Sequence, residues 1–255
     1  MRVLAFLPDD SLLALKRALG PRDTVGRLTD VAELARGSTL RADAVVIDPT
    51  CFDSEQWTRV RRLLGTPKAP VLLYAKLDTE SVRRVVAASS VGVHEVLLRD
   101  VDDDPVAIRR RLRSLRTPPV RARVLARLAP RIAEMPTPLQ GASLPLFCAA
   151  PVPRWADDLA RLAGMSRRSM DRWMDHAGVA GTAALLDVAR LARVWEPIVK
   201  QKVAPADVAV DGGFRRLRML ALHTKRLVGA SPGLLAQEIS EDEFVNRLVL
   251  YATRR

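Results

Sequence analysis

Five short apolar runs alternate with helix-period segments over the first 115 residues, and then the alternation stops. The runs are RVLAFL (2–7), DTVGRL (23–28), ADAVVIDP (42–49), APVLLYA (69–75) and VHEVLLR (93–99). Between and after them lie DSLLALKRALG (10–20), with Asp10 or Ser11 placed to cap it, VAELARG (31–37), ended by Gly37, and SEQWTRVRRLLG (54–65). DTESVRRVVAASS (78–90), opened by Asp78, and DPVAIRRRLRSLR (104–116) complete the set. A strand that is followed by a helix returns beside its neighbour running the same way, because the crossover carries the chain back over the sheet. The pattern therefore predicts an α/β domain over residues 1–116, a doubly wound, flavodoxin-like five-stranded parallel sheet. Ligands of such sheets sit at the carboxyl ends of the strands. Here those ends offer Asp9, Asp10, Asp48, Tyr74, Ala75, Arg99 and Asp100.

From 117 to 153 the chain reads as a helical connector. Pro118, Pro119, Pro130, Pro136, Pro138, Pro145, Pro151 and Pro153 punctuate it. VRARVLARLAPRIAEM (120–135) puts Val120, Val124, Leu125, Leu128 and Ile132 on one helical face, and PLQGASLPLFCAA (138–150) forms a second short helix. The apolar face is expected either to pair with a second copy, giving a homodimer, or to pack on the chain's own domains.

Residues 154–255 read as all-α and carry a plan that occurs twice. In WADDLARLAGMSRRSMDRWMDHAG (155–178), Leu159, Ala160, Leu162 and Ala163 form the apolar side of a short helix, Gly164 allows a tight turn, and Met165 plugs the corner. Ser166 caps a second helix that buries Met170, Trp173 and Met174 and shows Arg167, Arg168, Ser169, Asp171 and Arg172. GTAALLDVARLARVW (181–195) connects, with Thr182 as its cap. PADVAVDGGFRRLRMLALHTKRLVGASPGLL (205–235) repeats the plan. Pro205 opens a helix, Val208 and Ala209 face inward, Gly212-Gly213 turn, and Phe214 fills the corner. The next helix presents Arg215, Arg216 and Arg218, packs through Leu217, Leu220, Ala221 and Thr224, and ends at Gly229. A second helix with arginines near its start is suited to the major groove, where it meets base edges and phosphates together.

Charge points the same way. The chain holds 41 Lys+Arg against 29 Asp+Glu, a net +12. Residues 1–115 contribute 19 basic and 16 acidic residues, and residues 116–255 contribute 22 and 13, so most of the surplus lies in the second part. A basic excess concentrated in one domain suits a polyanionic partner. Cys51 and Cys148 match no metal or redox spacing. His94, His176 and His223 are scattered and read as surface or capping residues, and Asp102-Asp103-Asp104 as a solvated loop with a cap. No phosphate-binding glycine loop and no catalytic constellation stands out, so we expect no cofactor, no metal and no enzymatic activity. No apolar run approaches the roughly 20 residues of a membrane span. The first residues, MRVLAFLPDD, are unlike a signal peptide, and a cytoplasmic protein is expected.

Two resemblances sharpen these expectations. Residues 156–235 resemble the double helix-turn-helix DNA-binding domain of AraC-type regulators. The resemblance rests on Leu159-Ala160, Met165-Ser166, Arg168, Met170, Arg172 and Met174 in the first motif, and on Arg190-Leu191 in the connecting helix. Val208-Ala209, Gly213-Phe214, Lys225, Gly229 and Ser231-Pro232 carry it in the second motif. Departures are Val194 at a small-residue position, Asp211 and Gly212 at small or apolar ones, Leu220 and Thr224 at aromatic ones, and Pro197, which interrupts the connecting helix. Residues 1–115 resemble the receiver domain of response regulators, with Asp9, Asp10 and Asp48 at the acidic positions. Ala75 stands where the family has Ser/Thr and Arg99 where it has Lys, which makes the receiver degenerate.

Together the resemblances imply a sequence-specific transcriptional regulator of double-stranded DNA, with RNA polymerase as a further partner. The DNA-binding candidates are Arg167, Arg168, Ser169, Arg172, Arg215, Arg216 and Arg218. The alternatives are a response regulator phosphorylated on Asp48 and a protein-interaction adaptor that does not bind DNA.

Overall fold

The computed structural model describes residues 1–34, 41–65, 69–115, 117–148 and 155–253. Gly37, Arg116, Pro151 and Pro153 lie outside the described residues. The chain divides into two compact units, Met1–Ala122 and Arg123–Arg255.

The first unit is the doubly wound sheet. Strands β1 (Arg2–Phe6), β2 (Thr24–Arg27), β3 (Ala44–Ile47), β4 (Val71–Ala75) and β5 (Glu95–Leu98) pair in parallel in the order β2-β1-β3-β4-β5. β3 and β4 are buried along their whole length, as expected of strands covered on both faces. Helices α1 (Asp9–Ala18) and α4 (Pro105–Ser114) cover one face: Leu12, Leu15, Ile108 and Leu112 pack on Val3, Ala5, Val46, Leu72 and Leu97. Helices α2 (Ser54–Leu63) and α3 (Thr79–Ser89) bury Trp57 and Val60, and Val82, Val85 and Val86.

Side-chain caps explain where most of these helices begin. Asp53 and Gln56 form a capping box at α2, Asp78 accepts from Ser81 N at α3, and Asp104 accepts from Val106 N and Ala107 N at α4. Helix α1 differs from expectation. Neither Asp10 nor Ser11 caps it; Pro8 holds the N-cap position, and Asp9 and Asp10 lie inside the first turn. The acidic run before α4 is not all solvated either. Asp104 caps, but Asp102 is buried, accepts from Leu98 N at 2.9 Å and faces Arg111 at 3.4 Å.

The second unit is helical. Its elements are α5 (Val120–Ala133, which begins in the first unit), α6 (Thr137–Phe147), α7 (Ala156–Leu162), α8 (Arg167–His176), α9 (Thr182–Trp195), α10 (Pro205–Asp211), α11 (Leu217–Val228), the short α12 (Leu235–Glu238) and α13 (Glu241–Thr253). Among the described residues, no helix is long and apolar enough to cross a membrane.

α9 is the axis of this unit. It buries Val188, Ala189, Leu191, Ala192, Val194 and Trp195, and Trp195 stacks on Phe244 of α13 at 4.5 Å between ring centroids. Pro197 does not break the chain direction outright. α9 runs on into a π-helical turn, Glu196–Lys200, whose wider winding absorbs the missing proline N–H.

The apolar stripe of α5 is spent inside the chain. Val120, Val124, Leu125, Leu128 and Ile132 are each at most 2% exposed, so this face is core and is not left over for a second copy. Arg123 binds Glu241 at 2.9 Å and also Asp242, and Arg127 reaches Asn246, tying α5 to α13.

Candidate nucleic-acid interface

Each motif is a pair of helices joined by the same turn. In the first, α7 ends at Ala163, Gly164 takes φ +61°, and Met165 N donates to Ala160 O at 3.1 Å. In the second, α10 ends at Gly212, Gly213 takes φ +86°, and Phe214 N donates to Ala209 O at 2.8 Å. Positive φ is the physical reason for glycine at both places. Leu159 and Ala160 in the first motif, and Val208, Ala209 and Phe214 in the second, are buried as expected.

Beyond the turn the motifs diverge. Ser166 caps α8 directly, accepting from Ser169 N at 3.1 Å and donating to Ser169 Oγ at 2.9 Å. The second motif spends one more residue before its helix begins. Arg215 precedes the N-cap position, Arg216 occupies it in extended backbone (φ −153°), and no side chain caps the helix. The buried pairs are then Met170 and Met174 in α8 and Leu220 and Thr224 in α11, all fully enclosed. Thr224 offsets the burial of its hydroxyl by donating to Leu220 O at 2.7 Å.

Several expected inward side chains point out. Leu162 is 63% exposed, Trp173 37% and Leu217 44%. Leu162 lies in the last turn of α7 and Leu217 in the first of α11, at the ends of the buried stripes, and Trp173 lies beside buried Met174 on α8. Thr182 is not the cap of α9, since Gly181 takes that position with φ +97°. Thr182 is instead the first helical residue, and Asp171 of α8 accepts both from its N–H at 3.3 Å and from its hydroxyl. Asp171, placed by sequence among the displayed polar residues, thus caps the connecting helix and fixes α8 against it.

Two of the departures noted in the sequence, Val194 and Gly212, turn out to be one fitted pair. A Cβ added at Gly212 would lie 2.7 Å from Val194 Cγ1. The larger residue on α9 therefore occupies the space vacated by the smaller one on α10, and Gly212, with ordinary helical φ, is there for room. Gly213 serves space as well as φ, since a Cβ there would meet the Arg190 side chain at 3.3 Å.

Arg190 packs beside a buried carboxylate. Asp187 faces Arg190 at 3.5 Å, His223 Nδ1 at 3.1 Å and Arg226 at 2.9 Å. His223, expected at the surface, is therefore a largely buried link between α11 and α9. His94 is likewise half-buried, its Nδ1 accepting from Val71 N at 3.3 Å, and burial holds it below the usual histidine range.

The sequence-predicted basic residues cluster at the beginnings of the two second helices. Arg167, Arg168 and Arg172 are exposed on α8, and Arg215, Arg216 and Arg218 at the start of α11. Ser169 lies half-buried between them, its hydroxyl engaged by the Ser166 cap. Arg167 stands at 3.8 Å from both Asp157 and Asp171, and among the described residues no carboxylate pairs with the other five arginines.

A helix N-terminus carries partial positive charge, and arginines there are repelled by it. Elsewhere the chain avoids the conflict. α1, α2, α3, α7 and α13 hold acids in their first turns. α5 also begins with arginines, but Arg121 binds Glu95, and Arg123 binds Glu241 and Asp242. α8 and α11 have no acid in the first turn. Their starts are places where an external anion would relieve a standing electrostatic cost.

The receiver-like positions are placed differently. Asp48 is buried, and its Oδ1 accepts from Thr50 N at 2.8 Å and Thr50 Oγ1 at 2.7 Å. The turn after it is held by buried Arg84, which donates to Pro49 O and Phe52 O, each at 2.6 Å. Asp9 is bound by Arg27 at 2.6 Å, and Arg99 pairs with Asp10. The N–H of Ser11, and then Arg99, hold Asp10 below the usual carboxylate range. Among the described residues no group of three or more His, Cys, Asp or Glu is placed to hold a metal ion, so the structure does not gather the three aspartates into one. Tyr74 is raised by burial and by its bond to Asp103, and burial together with Asp48 pushes the Cys51 thiol up to about 11. Neither Cys51 nor Cys148 is in a disulfide among the described residues.

No family model, no curated protein and no solved structure matches this chain.

Proposed function

We propose that the helical unit binds double-stranded DNA through α8 and α11 and that the protein regulates transcription, as its resemblance to AraC-type regulators implies. One observation carries the reading: six exposed arginines lie in or just before the second helices of two helix–turn–helix pairs, mostly at their N-terminal ends, and among the described residues only Arg167 has carboxylates within 4 Å. A protein pays for such crowding in stability, and a phosphate backbone offsets it. The second unit's surplus of charge supports the same partner. In this reading the first unit is a receiver-like platform, not a phosphoacceptor, because Asp48 is enclosed and already bonded by Thr50.

A second reading, a protein-binding adaptor, draws on a specific feature of α11. Leu217 is 44% exposed, Met219 40% and Leu222 58%, beside Arg215, Arg216 and Arg218. In a major groove such side chains can meet thymine methyls; on a protein surface they can anchor a partner helix.

Salt-dependent titration against a selected operator and a scrambled duplex separates the readings. Arg168→Ala should lose about 1–3 kcal/mol on the operator and relax preference at one base pair. Arg216→Ala should weaken both duplexes alike and lower the salt slope by about one unit. Unchanged affinity and slope in both variants would remove DNA as the partner and favour the adaptor.

A further inference from the structure

Between the two motifs, inside the helical unit, lies a cleft of about 400 Å³ that the DNA reading does not use. Its walls come from four places in the sequence: Trp155 at the start of α7, Arg190 of α9, Val210 with Phe214 around the second turn, and Arg215, Met219 and His223 of α11. The size falls within the range of small-molecule sites, which combine apolar walls with a few converging polar groups.

The lining has a consistent chemistry. Trp155 is 51% exposed, Val210 61% and Met219 40%, so the cleft presents apolar and aromatic surface to water, over a floor made by buried Phe214. The Arg215 guanidinium stands over the Trp155 ring, 4.5 Å from its centroid, which fixes a cation against the aromatic wall. Arg190 supplies a second cation, and among the described residues none lining the cleft is acidic. The nearest buried carboxylate, Asp187, already serves Arg190, His223 and Arg226 together, so it leaves the cleft net positive. Gly213 keeps the Arg190 stem in place by lacking a Cβ. A phosphodiester would use the cations and waste the apolar walls, and a neutral hydrocarbon would do the opposite.

From this geometry we infer that the cleft is a ligand site for a small amphipathic organic anion, a ring or short chain bearing a carboxylate or sulfonate. The anionic group meets Arg190 and Arg215, and the apolar body lies against Trp155, Val210, Phe214 and Met219. Arg215 is also one of the candidate DNA contacts. An occupant that holds it competes with the duplex, a consequence that rests on the DNA reading, whereas the site itself does not.

The test uses the full chain without DNA and 8-anilinonaphthalene-1-sulfonate as a fluorescent probe. One probe should bind per chain, and the uncharged N-phenyl-1-naphthylamine should bind at least about tenfold more weakly. Trp155→Ala and Val210→Trp should each weaken the sulfonate by about tenfold or more. The first removes the aromatic wall, and the second fills the cleft from an exposed position that the fold does not depend on. Should Trp155→Ala fail to fold, Val210→Trp decides by itself. Equal binding of the charged and uncharged probes, or unchanged sulfonate binding in Val210→Trp, would overturn the site. A duplex titration with saturating sulfonate then tests the coupling. Weaker duplex binding in the wild type but not in Val210→Trp supports it. Absence of duplex binding with or without the probe would count against the DNA reading and leave the cleft standing.

Discussion

The two helix–turn–helix motifs share a turn and part company at the residue that follows it. In the first, Ser166 caps α8 within the chain, and Asp171 on the same helix anchors Thr182 of the connecting helix. In the second, Arg216 stands at the N-cap without a cap bond, and Arg215 leans on Trp155. Helix α8 is thus capped and anchored within its own unit. The second is held by packing, through Val194 against Gly212 and the His223–Asp187 link, while its N-terminal end is left unsatisfied. Where a chain leaves a helix end uncapped and surrounds it with like charge, stability has been given up, and a bound anion is what recovers it. Under the proposed DNA reading the contrast would give the motifs different roles, with α8 already capped within the chain and α11 completed only by a bound anion.

The largest effect should come from disturbing the packing of the second turn. Gly212→Ala drives a Cβ to 2.7 Å from Val194 Cγ1, and overpacking of this kind costs about 1–3 kcal/mol. Val194→Ala in the same chain should recover part of that loss, giving a clear interaction energy in a double-mutant cycle. Gly164→Ala, the matching turn of the first motif, meets nothing within 4 Å. It should cost only the strain of positive φ, about 1–2 kcal/mol, with no rescue by any neighbour. Equal rescue in both motifs would erase the proposed difference.

Next in size is the cap. Ser166→Ala should lower stability by about 1 kcal/mol in denaturant unfolding, because the Ser169 N–H loses its acceptor. Removing Asp171 is a sharper probe of the anchoring. Asp171→Ala should destabilise the first motif although the residue is partly exposed, and Thr182→Val should do nearly the same. Additive losses in the double variant would show that the two residues do not act through each other.

The smallest effect is also the one with an inverted sign. Arg216→Ser supplies the missing cap and removes a like charge from the helix start, so the free protein should gain a few tenths to about 1 kcal/mol. In the DNA reading the same variant binds duplex less well. Gain in stability together with unchanged binding would place Arg216 outside the interface.

A pH effect follows from the links around α13. Burial raises Glu241, but bonds from Lys200, Arg123 and Trp195 outweigh it and hold the carboxyl below its usual range. A depressed carboxylate stabilises the fold above its unfolded pKa, and that contribution is lost as pH falls through the folded value. Acid should therefore loosen α13, and Glu241→Gln should flatten that dependence.

Much of the architecture was legible along the chain, because local rules carried it. Short, nearly continuous apolar runs, bounded by Pro49 and by Asp caps, are read as strands of a parallel sheet covered on both faces when helices lie between them. Positive-φ glycines at Gly164, Gly213 and Gly229, and Ser166 at a helix start, mark turns and ends by backbone sterics alone. The arginines of α8 and α11 could be found from composition and spacing. What tertiary structure decided was every question of which face meets what. Whether the stripe of α5 is surface or core depends on what the rest of the chain lays over it, and helical periodicity is the same in either case. Leu162, Trp173 and Leu217 share the apolar character of their buried neighbours; Leu162 and Leu217 lie in the terminal turns of their helices, and Trp173 turns away from buried Met170 and Met174 on α8. Val194 and Gly212 look like two separate departures until their atoms are seen to share one volume. Asp171 and His223 look like surface polar residues until Thr182 and Asp187 are found beside them. Propensity and periodicity act over a few residues, whereas packing volume and buried charge are settled between segments that the sequence keeps far apart.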